Sequence, residues 1–328
     1  MSYQHLTPQE RFFIEVLVLS GFGPREIGRR LGRDHGTISR ELRRNRRPDR
    51  YCCLSAHQTA VVRRSRPRHY RRQSHSPLVD YVEAKLSLDW SPEQIAHRLR
   101  IDHPHDDRMR LSTETVYRWA YIEAVHGGRL FTHLRRRHRR RRQHKGYGTG
   151  RRFLAGRVSI AERPEIVANR SRFGDWEADL MVGGIGKGAL VTCLERKSRY
   201  LAAGKVGNKT AVQFNATFEG AMVHVPAELR CTLTLDNGSE MARFKELEQA
   251  TGFQIYFADP YAAWQRGGNE NSNGLLRQYF PKGCNFRRVS EHAVKQAVER
   301  LNHRPRKCLG YRTPNEVFTS SLSGALAN

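Results

Sequence analysis

The sequence predicts a multidomain chain, with an all-α N-terminal region followed by an α/β core built on a mixed sheet. Three observations carry this. Apolar residues recur at helical spacing through the first 126 residues, then at strand spacing from residue 172 onward. Between the two, residues 135–142 place seven Arg and one His in succession. Such a run repels itself and does not pack as a helix without a polyanion, so it marks a boundary. The 328 residues also suffice for about two domains with cores of their own.

The first element begins at Thr7-Pro8-Gln9-Glu10, a capping box with Pro at the first helical position. Phe12, Phe13, Val16, Leu17 and Leu19 supply its apolar stripe, and Gly21 ends it. Pro24 starts a second helix with Ile27 and Leu31 inward. Gly32-Arg33-Asp34 turns into a third, His35 to Arg44, with Ile38 and Leu42 on its buried side. This is helix-turn-helix spacing, whose last helix enters a DNA major groove. Its outward residues are His35, Thr37, Ser39, Arg40, Arg43 and Arg44. The domain is expected over residues 1–47, and residues 48–75 as a basic connector with one helix near Ser55–Arg64. A second helical module follows over 76–134. Ser91-Pro92-Glu93-Gln94 repeats the helix-start logic there, Ser112 to Trp119 opens a further helix carrying Arg118, and Trp90 and Trp119 are expected in a core. Its spacing fits a second helix-turn-helix.

The partner follows from charge. Lys and Arg number 58 against 32 Asp and Glu, a net charge of +26, and residues 1–150 hold 32 of the cations against 15 of the anions. Most of the cations are Arg, whose planar fork suits phosphates and base edges. Nucleic acid is therefore the expected partner. Within the Arg-rich linker (135–171), Arg135, Arg136, Arg137, Arg139 and Arg140 are expected to track phosphates, adding affinity without sequence information. No apolar run approaches the roughly 18 residues of a membrane span, and the opening Met-Ser-Tyr-Gln-His lacks a signal-peptide stretch. The six cysteines form no Cys-x-x-Cys pair and are expected as free thiols of a reducing cytoplasm.

The core is expected over 172–328. Strands are read at 176–182, 189–194, 200–206, 231–235 and 254–257, with helices at 210–223, 243–251 and 265–279. Three strands, a helix, then alternating strand and helix follow the order of a ribonuclease H-like sheet. Asp236 lies where a strand exits into a Gly turn, the usual place for a site in an open α/β sheet. With Asp179 on the first strand and Glu270 on the following helix, the carboxylates suit two Mg²⁺ ions (or Mn²⁺), which take oxygen ligands and leave room for phosphate and water. Strand parity alone does not choose Asp179 over Asp175 or Glu177, which share its face.

Asp236 and Glu270 are separated by 33 residues. The strings around the acids are Trp-Glu-Ala-Asp-Leu (176–180), Leu-Asp-Asn-Gly-Ser-Glu (235–240) and Asp-Pro-Tyr-Ala-Ala-Trp-Gln-Arg-Gly-Gly-Asn-Glu-Asn-Ser-Asn-Gly (259–274). With the tail from Leu301 to Pro314, they resemble the insertion-sequence-thirty family of bacterial transposases, with its D-D-33-E triad. The resemblance implies Asp179, Asp236 and Glu270 as catalytic metal ligands. It further implies double-stranded DNA (terminal inverted repeats and target) as partner, and a homo-oligomer that holds two element ends together. Asp175 and Ala178 stand where His and Gly are usual in the family. Gln265, Arg266, Asn269, Asn271 and Asn273 crowd Glu270 as a substrate-facing surface, and Arg277 and Lys282 are expected on phosphate. Asn237 and Gly238 are expected to shape the turn that presents Asp236. Trp264 is equally compatible with core packing and with stacking on an unpaired base. The rival readings are a DNA-binding regulator with a vestigial core and a plain ribonuclease H-like nuclease.

Overall fold

The computed structural model describes residues 5–45, 50–65, 75–134, 156–260 and 262–325. Contacts divide the chain into two compact units, Met1–Ser76 and Pro77–Asn328. The Arg-rich run, with Arg135, Arg136, Arg137, Arg139 and Arg140, lies outside the described residues.

In the first unit α1 (Pro8–Leu19) starts at the expected capping box. Thr7 Oγ1 accepts from the Glu10 N–H at 3.1 Å, and the Glu10 carboxylate accepts from the Thr7 N–H at 2.7 Å. α2 (Pro24–Leu31) and α3 (His35–Arg44) follow, α3 with the bounds read from the sequence and Asp34 as its N-cap. Gly28 marks the tight crossing between them, since a Cβ there would lie 2.8 Å from the Arg33 carbonyl oxygen. Ile14, Ile27 and Ile38 form the core with Tyr51 and Ala56, the latter from α4 (Cys53–Ser65), which packs on α1.

The inward face of α1 differs from the expected stripe. Ile14 is fully buried, whereas Phe12, Phe13, Val16 and Leu19 are exposed; of the five residues expected inside, Leu17 alone packs against the core. Arg11 takes the inward place. Its Nε donates to Glu41 at 2.7 Å and its Nη1 to the Leu6 carbonyl, while the Tyr51 hydroxyl donates to the same carboxylate. A buried ion pair is tolerated when further hydrogen bonds satisfy it, as here, and counting apolar residues does not reveal it.

In the second unit α5 (Ser76–Ser87), α6 (Pro92–Asp102) and α7 (Thr113–Val125) close on Leu78, Val82, Leu86, Ile95, Leu99 and Val116, with Trp90 and Trp119 inside. Residues 103–112 join α6 to α7, against the three or four of a helix-turn-helix, so this layer is a three-helix packing and not a second tight motif.

The sheet has the order β3-β2-β1-β4-β5, with β1 Asp175–Val182, β2 Ala189–Glu195, β3 Leu201–Val206, β4 Thr232–Leu235 and β5 Gln254–Phe257. β1, β2 and β3 are antiparallel neighbours, and β4 and β5 run parallel to β1. This is the ribonuclease H-like arrangement. Parity along β1 sorts the two faces. Trp176, Ala178 and Leu180 meet α8 (Ala211–Met222) and α9 (Phe244–Thr251) in one core. Met181 meets α10 (Gly267–Leu276) and α11 (Glu291–Asn302) in the other. The helix expected over 265–279 is shorter. A 3-10 turn, Ala263–Arg266, leads into α10, which opens on Gly267 and Gly268, two weak helix formers.

α11 and α12 (Pro314–Ala325) had no counterpart in the sequence reading. They explain much of the tail string. Asn302, buried at the end of α11, donates to the Leu201 carbonyl at 2.8 Å and accepts from the Leu201 N–H at 2.9 Å, closing the outer edge of β3. The residues after it fasten α6. Arg98 forks onto Glu316 at 2.5 and 2.7 Å, and Gln94 donates to the Pro305 carbonyl. Lys307 and the Tyr311 hydroxyl both donate to Glu93 at 2.9 Å, and the Tyr311 ring stacks on His97 at 4.1 Å.

Candidate active site

Parallel pairing of β1 with β4 sets Glu177 beside Thr234. Two residues further along each chain, on the same face, come Asp179 and Asp236. The register thus brings two carboxylates together at the carboxyl ends of neighbouring parallel strands. The Arg266 guanidinium stands between them, 3.5 Å from each. Asn273 donates to Asp179 at 2.8 Å, and the Gly238 N–H donates to Asp236 at 3.0 Å. Asn237 ties the same turn down, donating to the Ala258 carbonyl and accepting from Arg157. Glu270 lies one helical turn after Arg266 and nearly one before Asn273. With Asp179, these three line a cavity of about 200 Å³. Burial pushes the Asp179 carboxyl above its ordinary range, with Arg266 opposing the shift.

Parity left Asp175, Glu177 and Asp179 equivalent, and long-range packing separates them. Asp175 is fully buried at the far end of β1, paired with Arg172 and accepting from the Thr232 hydroxyl at 2.7 Å. It serves the sheet and stands away from the cavity. Glu177 is also fully buried. It pairs with Arg196, whose Nε donates to the Val167 carbonyl, and its other oxygen accepts from the Asn269 N–H at 2.9 Å. Its carboxylate therefore caps the first turn of α10, one residue before Glu270. Gly268 makes the approach feasible, because a Cβ there would lie 3.0 Å from both Glu177 Oε2 and Leu194 Cδ2.

Several polar atoms around the carboxylates lack partners among the described residues. They are Arg266 Nε, Asn269 Nδ2 and Asn273 Oδ1, all buried. Buried polar atoms left unsatisfied in a native site usually mark a missing ion, water or ligand. The carboxylate oxygens and Asn273 Oδ1 are hard oxygens of the kind divalent magnesium takes, whereas the Arg266 and Asn269 N–H groups suit water or a phosphate oxygen. No three His, Cys, Asp or Glu side chains among the described residues stand close enough to share an ion. Arg266 holds the space between the aspartates, and Glu270 is exposed at the cavity edge.

Comparison with known proteins gives the family of the chain. Residues 2–45 match the helix-turn-helix domain family. The transposase InsI for insertion sequence element IS30A of Escherichia coli is 38% identical over 326 residues, covering 97% of this chain and 84% of that one. The chain belongs to the IS30 family of insertion-sequence transposases. The transposase for element IS4351 of Bacteroides fragilis is similar at 37% identity, covering 98% of this chain and 97% of that protein. Among solved structures, the catalytic core domain of BIV integrase aligns with 20% identity and a TM-score of 0.39, covering 47% of this chain and 99% of that one.

The remaining candidates separate by exposure. On α3, His35, Ser39, Arg40, Arg43 and Arg44 are exposed and Thr37 half-buried, opposite Ile38 and Glu41. Arg118 is exposed on α7, and Lys282 beyond α10. Asn269 departs from the expected substrate-facing surface: it is fully buried and faces the Thr192 hydroxyl. Arg277 is half-buried and donates to the Val182 carbonyl at 2.7 Å, which ties it to a strand end. Gln265 pairs with Asp259 through both ends of its amide. Trp264 is exposed, so core packing does not account for it. The sequence reading left two positions without their roles, Glu177 as the cap of α10 and Arg266 as the counter-ion of the aspartates. Neither carries a signal that distinguishes it from an ordinary strand or helix charge.

Proposed function

We propose that this transposase cuts and joins DNA at the cavity lined by Asp179 and Glu270, with Asp236 beside it across Arg266. The observation that carries the reading is the register that sets Asp179 beside Asp236, with Glu270 on the helix that crosses them. Two Mg²⁺ ions (or Mn²⁺) held by these carboxylates would supply Lewis acidity and neutralise charge at the scissile phosphate. Asn273 orients Asp179. Glu177 fixes the first turn of α10 and with it the approach of Glu270. Arg266 neutralises the aspartates, and its guanidinium would be free for the phosphate if a divalent cation held by Asp179 and Asp236 took over that charge. Water is the nucleophile for end cleavage and the freed 3′-hydroxyl the nucleophile for joining, so no side chain forms a covalent bond to DNA. The exposed face of α3 reads the terminal inverted repeats, and the basic run at 135–142 tracks phosphates. Two ends must be held at once, so the working form is a multimer. It acts on the chromosome, in the cytoplasm.

Asp236→Asn and Glu270→Gln are each expected to abolish Mg²⁺-dependent nicking and joining of an element end, with end binding unchanged in a mobility-shift titration. A vestigial core would give no nicking by the unaltered chain either. A plain nuclease would nick without joining. Loss of end binding by a folded Asp236→Asn protein would sink the division of labour.

A further inference from the structure

On the side of α10 away from the carboxylates lies a second cavity of about 190 Å³, floored by Gly267 and Gly268 and walled by Arg170, Arg199, Arg306 and Asn271. At about 30 Å³ per water it has room for a phosphate group and part of its hydration. The three arginines arrive from separate segments. Arg170 follows the single helical turn Glu165–Ala168, Arg199 sits in the turn between β2 and β3, and Arg306 lies in the tail beyond α11. Arg170 and Arg199 both hold left-handed backbone, φ +53° and +63°, a conformation that non-glycine residues seldom adopt and that concentrates at functional sites.

No carboxylate lines the cavity. The nearest acid behind it, Glu177, is already matched by Arg196. The Arg170 and Arg199 guanidinium groups pair with no carboxylate among the described residues. Arg306 is steadied by the Leu301 carbonyl. Burial lowers the basicity of Arg170, and Arg199 and Arg196 lower it further. Glu177, whose carboxylate reaches the Gly268 floor from behind, opposes that shift but is shared with Arg196, so three arginines at one cavity are further stabilised by an anion that bridges them. Where the floor is glycine, that anion can approach the backbone.

We propose that this cavity binds a non-scissile phosphate of the DNA strand that runs across α10, a second anchor point beside the reacting one. The inference rests on the reading of DNA as substrate. A helix with its side chains is about 10–12 Å across. The anchored phosphate is therefore about three nucleotides from the cut, at about 3.4 Å per step. Arg199 and Arg306 supply forked donors, and the bare glycine floor lets the phosphate oxygens approach the start of the helix.

The test is the salt dependence of binding of the full chain to a labelled duplex end, for the unaltered protein, Arg199→Ala and Arg170→Ala/Arg199→Ala. The log–log slope is expected to fall by about 0.9 for each lost duplex phosphate contact, or about 0.7 on single-stranded DNA. Arg199→Lys should recover most of the slope. Duplexes with and without a 5′-phosphate identify the source: a preference for the phosphorylated end that the double variant loses assigns a terminal phosphate. An equal loss on both assigns an internal phosphodiester. Cys308, which also lines the cavity, gives an independent reading, since DNA should slow its alkylation as mapped by mass spectrometry. An unchanged slope in a double variant of normal melting temperature, with Cys308 alkylated at one rate with and without DNA, overturns the proposal. A slope unchanged beside a lowered melting temperature would overturn it as well, making these arginines structural. These measurements read binding alone, so absence of nicking by the unaltered protein would count against the proposed chemistry without touching this result.

Discussion

Glu177 does its work without reaching the cavity. Its carboxylate ties β1 to the first turn of α10, beside the link that Arg266 makes to Ala178 and Asp179, and it is matched by the buried Arg196. Glu177→Gln keeps an acceptor for the Asn269 N–H but abolishes the ion pair, so the helix start loosens. Turnover is expected to fall about 10- to 100-fold, the range seen when outer partners of a metal site are lost. Affinity for an element end should not move, and the Mg²⁺ concentration needed for half-maximal nicking should rise. Single-turnover nicking across a Mg²⁺ series checks this, and an unshifted Mg²⁺ requirement would reduce Glu177 to a folding role. Glu177→Ala leaves Arg196 buried and unmatched, which costs about 3–5 kcal/mol and should show as a large drop in melting temperature. At this scale the sequence was partly legible. The place of Asp236, just beyond the end of β4, is readable from its strand-end turn. Asp179, Glu177 and Asp175 were not separable, because alternation gives them one face and only the pairing with β4 and the packing of α10 give them different jobs.

Elements were most legible where local signals were self-sufficient. α3 has an aspartate cap, a helical apolar period and flanking loops, and β5 is a short apolar run between turns; both stand where the sequence put them. α1 starts where its capping box places it, but its inward face differs from the apolar stripe, because the deciding contact, Arg11 with Glu41, joins residues thirty apart. Exposure of Arg40 on α3 sets the next expectation. Arg40→Ala should weaken binding to the inverted repeat more than to random DNA, by about 1–3 kcal/mol if it forks onto a guanine. Equal losses on the two DNAs at fixed salt would make it a phosphate contact. The edge of β3 gives another. Asn302→Ala strips partners from both polar groups of Leu201, at about 1–3 kcal/mol for each group left unsatisfied. A calorimetric melt that does not move would show that water replaces the amide.

On the scale of the second unit, the contacts between α6 and the tail are the feature least foreseeable from sequence, since they join residues more than two hundred apart. Arg98 holds the Glu316 carboxyl well below the usual range, to about 2. A carboxyl depressed in the folded state contributes stability that is complete above its unfolded value, about 4.5, and is lost as pH falls toward 2. Glu316→Gln should therefore melt below the unaltered chain at pH 7 and at pH 5. The gap should close progressively below about pH 4.5. A gap that stays constant into acid would mean that the carboxylate charge is not what holds Arg98.

The same fastening has a metric consequence. With α6 bolted to the tail, and the tail closing the edge of the catalytic sheet through Asn302, whatever stretch of duplex rests on the three-helix layer lies at a set distance from Asp179 and Asp236. Duplex DNA advances about 3.4 Å per base pair, so a set distance would fix how many base pairs separate that contact from the cut. If that layer binds the duplex, the joint would act as a ruler. Loosening that joint should blur where the nick falls before it slows the nick itself.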